Sequence, residues 1–262
     1  MHLPLGIGKL LSIFILFISP GLALAINVVP FSGELDLSKQ SNYKFKVLNP
    51  SSNETAVKIS VVQWKINEQG EEIRIPDSEL TIFPKRLLIK PKGERSVRVS
   101  YRNNSFPAIE KTYRIIVEQV PVNRNNKGNS KRKAAINILT KYVTSFYVKP
   151  RDANSKISVI SSNSIENGFS LKIRNDGNAH THFIQPSMTI QQSDNKLFIS
   201  DLTLLESFAR TNIFALGERH FEWKIPENFQ DTLNFEQPYE VTIDWTCENC
   251  QQEKDNISFV VE

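Results

Sequence analysis

From residue 26 onward, apolar side chains recur at every second position in short runs separated by turn residues. Asn42–Leu48, Ala56–Trp64, Glu79–Phe83, Arg86–Ile89, Ser96–Tyr101 and Tyr113–Val120 follow this pattern in the first half. Alternation with period two places successive side chains on opposite faces of a strand, so each run predicts a half-buried strand. Asn49-Pro50-Ser51-Ser52-Asn53, Gln69-Gly70 and Pro91-Lys92-Gly93 supply the turns between them. No stretch shows a helical period. Val47, Val57, Ile59, Val61, Val97, Val99 and Ile115 are the expected core.

The second half repeats the pattern in Ile157–Ile160, Phe169–Arg174, Phe183–Ile190, Lys196–Ser200, His220–Ile225, Tyr239–Trp245 and Ile257–Val261. Asn175-Asp176-Gly177-Asn178 reads as a hairpin turn. Strands at this spacing predict an all-β chain of two β-sandwiches. Between them stands the longest run, Ala134 to Pro150, which Pro150 stops and the polar residues 151–156 follow. It is preceded by the basic segment Val122–Lys133, which has nothing to bury. A strand led by such a segment suits an exposed sheet edge, and an edge that keeps apolar side chains is suited to lending itself to another chain.

The first residues carry Lys9, the apolar run Leu10–Ile18 and the small-residue site Ala23-Leu24-Ala25. This is the pattern of a secretory signal, with an apolar part too short to span a bilayer. The expected division is therefore 1–25 signal peptide, 26–150 first sandwich and 151–262 second sandwich. No later run is long and apolar enough for membrane insertion. A net charge of +4 is modest and partly gathered in one segment, which argues against nucleic acid as a partner.

Cys247 and Cys250 are the only cysteines. They fall between two predicted strands and not at a helix start, where a redox-active pair would have a lowered thiol pKa. In an exported chain they are expected to form a hairpin disulfide, closing too short a ring to restrain the unfolded chain much. His180 and His182 with the two cysteines could make four zinc ligands, but one such pair on each of two hairpins is a weak pattern, and no metal is expected. No nucleophilic triad or phosphate loop is present, so the chain is not read as an enzyme and needs no cofactor.

Several segments together resemble one family. These are Pro84–Tyr101 (PKRLLIKPKGERSVRVSY), Glu110–Pro121 (EKTYRIIVEQVP), Leu171–His182 (LKIRNDGNAHTH) and the strand Ile136–Pro150. They resemble the periplasmic chaperones of chaperone–usher pilus assembly, in particular the archaic branch. The resemblance implies two immunoglobulin-like domains set in an L or boomerang, a periplasmic location, pilus or fimbrial subunits as clients and an outer-membrane usher as the second partner. It implies that Ala134, Ile136, Ile138 and Thr140 are donor-strand residues that complete the client's sandwich, whereas Asn137 and Leu139 on the other face would support the chaperone's own fold. The family's basic pair for the client carboxylate aligns with Ser32 and Ser145, which leaves Lys141 as the candidate anchor. An interdomain ion pair carries over as Glu110 with Lys149. The rival reading is a secreted immunoglobulin-like adhesin or a pilus subunit. Such a subunit would carry its own N-terminal donor extension, whereas here Ile26–Leu37 runs straight into a sandwich.

Overall fold

A computed structural model describes residues 25–66, 71–76, 79–103, 105–121, 139–209, 211–227, 229, 233–234, 237–247, 249–250 and 254–262. The expected signal segment lies outside the described residues but for Ala25, and so do Ala134, Ile136 and Ile138.

The first half forms β1 (Asn27–Val29), β2 (Gly33–Leu35), β3 (Asn42–Leu48), β4 (Thr55–Ile66), β5 (Glu72–Ile75), β6 (Leu80–Phe83), β7 (Arg86–Ile89), β8 (Glu94–Tyr101), β9 (Lys111–Val120) and β10 (Lys141–Val148). The second half forms β11 (Ile157–Ile165), β12 (Gly168–Asn175), β13 (Ile184–Gln192), β14 (Asn195–Ile199), α1 (Glu206–Ala209), β15 (Glu218–Lys224), β16 (Tyr239–Thr246) and β17 (Lys254–Val261).

One sheet runs β1-β3-β8-β6 and faces a second, β2-β10-β9-β4-β5, with β7 also on β4. Alternate residues of β3, β4 and β8 point between these sheets. Phe45, Val47, Val57, Ile59, Val97 and Val99 are buried there, while Lys46, Lys58 and Arg98 between them are exposed. The other sandwich packs β11-β12-β15 on β14-β13-β16-β17 around Phe169, Leu171, Ile173, Met188, Val241 and Ile243. The two hydrophobic clusters are separate, one drawn from residues 26–148 and the other from 157–261. The all-β fold with two immunoglobulin-like sandwiches is as the sequence predicts.

The segment after β12 differs from the expected hairpin. β12 and β13 lie in different sheets, so Asn175 to Phe183 crosses between them. Asn175 is fully buried and organises that crossing. Its Nδ2 donates to the carbonyls of Ala179 and Ile213, and its Oδ1 accepts the amides of Lys156 and Gly177. Gly177 is required by contact with the connecting segment: a Cβ there would lie 2.2 Å from the Asn154 carbonyl oxygen.

Candidate functional site

β10 is paired with β9 along its whole length, Lys141 opposite Glu118 through Val148 opposite Lys111. On its other side β2 runs parallel to it only from Phe146 to Val148. Lys141 to Ser145 therefore present an unpaired backbone edge among the described residues. Thr140 is fastened at the head of this edge: its amide donates to Gln119 Oε1 at 2.8 Å and its carbonyl accepts the Gln119 amide at 2.9 Å. Large apolar side chains stand beside it. Phe31 is exposed and meets Tyr142 edge-on at 6.3 Å, and Val29 and Leu139 are also half exposed.

The two faces of this strand differ at its head, while Tyr147 near its end is buried on the side opposite the core. Thr144, Phe146 and Val148 are buried, and Tyr142 packs on the first core. Thr140 shares their parity. The opposite parity holds Leu139 at 50% exposure and exposed Lys141. Leu139 thus does not support the core of the first sandwich, contrary to the sequence expectation. Of the candidate donor residues only Thr140 is described, and it falls on the face continuous with the core.

Lys141 stands apart from the domain junction. Ser145 lies four positions further along, about 13 Å of strand. At Ser145 a different cation is in place, one that sequence reasoning did not single out. Arg114, directly opposite Ser145 in register, donates from Nη1 to its Oγ at 2.6 Å. Nε and Nη2 of Arg114 donate to Glu72 Oε2 at 3.1 and 2.5 Å, and the guanidinium lies 3.7 Å over the Trp64 ring. Partial burial opposes ionisation of Glu72, but hydrogen bonds from Arg114 and Arg74 outweigh it and hold the carboxyl below its ordinary range. The signal available in the sequence was Arg114 itself, a charged residue within the apolar alternation of β9.

The expected pair of Glu110 with Lys149 is not formed. Lys149 Nζ lies 2.6 Å from Glu34 Oε2, because the parallel β2 brings Glu34 beside the end of β10. Glu110 turns to the other sandwich. Its amide donates to the Asn178 carbonyl at 2.8 Å, and its Oε1 accepts the His180 amide at 3.2 Å and faces His180 Nδ1 at 2.7 Å. Glu110 Oε2 is buried with no hydrogen-bond partner among the described residues. His180 stacks on Tyr147 with ring centroids 4.0 Å apart. Asn212 donates to the Tyr147 hydroxyl at 3.2 Å, and Trp64 meets Phe214 edge-on at 4.9 Å. Burial, reinforced by the Glu110 charge, pushes the Tyr147 phenol up, so it remains a neutral hydrogen-bonding group.

Cys247 and Cys250 form the expected disulfide. Among the described residues no group of three or more metal-ligating side chains comes together, and the HxH pair is split, with His180 committed to Glu110. No helix among those residues is long and apolar enough to cross a membrane.

Residues 36–154 match the family described as pili and flagellar-assembly chaperone, PapD N-terminal domain. A search of curated proteins finds no match. Among solved structures, the class 5 fimbriae chaperone CfaA is similar with a TM-score of 0.58 and 16% identity, covering 90% of this chain and 99% of that one. The Salmonella enterica SafA pilin–SafB chaperone complex gives 0.52 and 10% identity over 90% of this chain and 96% of the other. A chaperone–tip subunit pre-assembly complex, CsuC–CsuE of the archaic chaperone–usher Csu pili of Acinetobacter baumannii, gives 0.50 and 13% over 75% and 89%.

Proposed function

Because residues 36–154 match the pili and flagellar-assembly chaperone family, we propose that this protein acts in the periplasm on pilus subunits by lending them a strand. The observation that carries this reading is the edge of β10, unpaired from Lys141 to Ser145 among the described residues and continuous with the core-facing parity of Thr140, Tyr142 and Thr144. A subunit lacking its last strand exposes a groove and a row of unpaired backbone groups. Ile136, Ile138 and Thr140, with Ala134 ahead of them, would enter that groove while the β10 backbone completes the ladder. Each Ile fully buried there would contribute about 1.5–3 kcal/mol. Delivery to an outer-membrane usher would follow, when a strand of another subunit replaces the loaned one. The proposed division is a signal peptide at 1–25, the strand-lending domain at 26–150 and the second domain at 151–262. Lys141, exposed at the head of the open edge, remains the candidate contact for a client carboxylate.

The test is co-expression with a pilus subunit that lacks its last strand, followed by affinity recovery of the complex. Ile136→Asp with Ile138→Asp should abolish recovery, because two carboxylates cannot enter an apolar groove unpartnered. The thermal midpoint of the chaperone alone should stay near wild type. Recovery at the wild-type level would overturn the reading.

A further inference from the structure

The turn between β16 and β17 carries the Cys247–Cys250 disulfide, and its sulfurs face the connecting segment between the sandwiches. Ser155, buried in that segment, places its Oγ 3.1 Å from Cys250 Sγ and 3.5 Å from Cys247 Sγ. Thr181 Oγ1 lies 3.5 Å from Cys247 Sγ on the other side. Asn249, enclosed between the two cysteines, reaches two partners at once. Its Nδ2 donates to the His180 carbonyl at 2.8 Å, and its own carbonyl accepts the Ser155 amide at 2.6 Å.

His180 is the residue that grips Glu110 of the first sandwich. A continuous path therefore runs from the disulfide through Asn249 and His180 to Glu110. A ring this short restrains little of the unfolded chain's entropy. Its effect must lie in the folded state, where it restricts the turn to conformations that aim both polar groups of Asn249 inward. Without the crosslink the turn samples other conformations, and the His180 carbonyl and Ser155 amide lose a fixed partner.

We propose that the Cys247–Cys250 disulfide is a lock on the domain junction. By fixing Asn249 it holds His180 and the connecting segment in the positions from which the second sandwich binds Glu110.

Hydrogen exchange resolved by residue tests this on the intact protein. The amides of Glu110 and His180 both donate across the junction, so they report its opening directly. In Cys247→Ser with Cys250→Ser, and separately in Asn249→Ala with the disulfide retained, both amides should exchange about ten-fold faster than in wild type. The amides of Val97 and Ile243, deep in the two cores, should change less than about two-fold. Junction amides within about two-fold of wild type in either variant, with the cores intact, would overturn the proposal. Should the double serine variant lose core protection as well, the Asn249→Ala protein decides the matter alone.

Discussion

Glu110 Oε1 lies 2.7 Å from His180 Nδ1 across the domain junction, with the two side chains 1% and 8% exposed. Loss of either partner strands the other in a dry site, which costs about 1–3 kcal/mol. His180→Ala and Glu110→Ala should each lower the chemical-denaturation midpoint markedly, and the double variant should lose much less than the sum. Lys149→Ala, by contrast, removes an ion pair whose other member, Glu34, is half exposed, and should cost no more than about 1 kcal/mol. Strict additivity of the Glu110 and His180 losses would show that the contact contributes nothing to stability.

A second expectation follows from Glu72. Its carboxyl is held below the ordinary value of 4.5 by Arg114 and Arg74, against the opposing effect of partial burial. A carboxyl with a depressed folded pKa adds stability above its unfolded pKa, and loses it as pH falls through the lower folded value. Wild type should therefore be more stable than Glu72→Gln at pH 7, and the gap should close below about pH 4.5. Partial exposure limits the gap to about 1 kcal/mol or less. A gap that stays constant from pH 7 to pH 3 would mean that the charge on Glu72 is not what Arg114 stabilises.

How far the sequence revealed all this depended on where the determining contacts lie. The period-two runs of β3, β4, β8 and β9 were legible because burial between two sheets is written into the local alternation itself. β2 was not, since Gly33-Glu34-Leu35 is too short to show a period, and with it went the partner of Lys149. The Asn175–Asn178 segment has the composition of a hairpin turn. What makes it a crossing is the burial of Asn175 against Ile213 and Lys156, partners remote in sequence that local propensity cannot register. Arg114 stood out as a charge within an apolar alternation, but its role was hidden for the same reason: it comes from Ser145, Trp64 and Glu72 converging from three other strands.

The open edge itself can be tested face by face. Leu139 is half exposed and points with Lys141 away from the core, whereas Tyr142 packs on the first core and against Phe31. Leu139→Asp should leave the thermal midpoint within about 1–2 °C of wild type, the behaviour of a surface substitution. Tyr142→Asp should lower it by several degrees, since it removes aromatic burial and brings a carboxylate to the core margin. Under the proposed strand loan, Tyr142→Asp should also weaken subunit recovery, because its side chain shares the parity of Thr140, one of the residues proposed to enter the client. Leu139→Asp should leave recovery intact. If Leu139→Asp destabilised the protein while Tyr142→Asp did not, the parity assigned to β10 would be reversed. Ile136 and Ile138 would then point away from the client, and the strand loan would have to rest on the alternate residues instead.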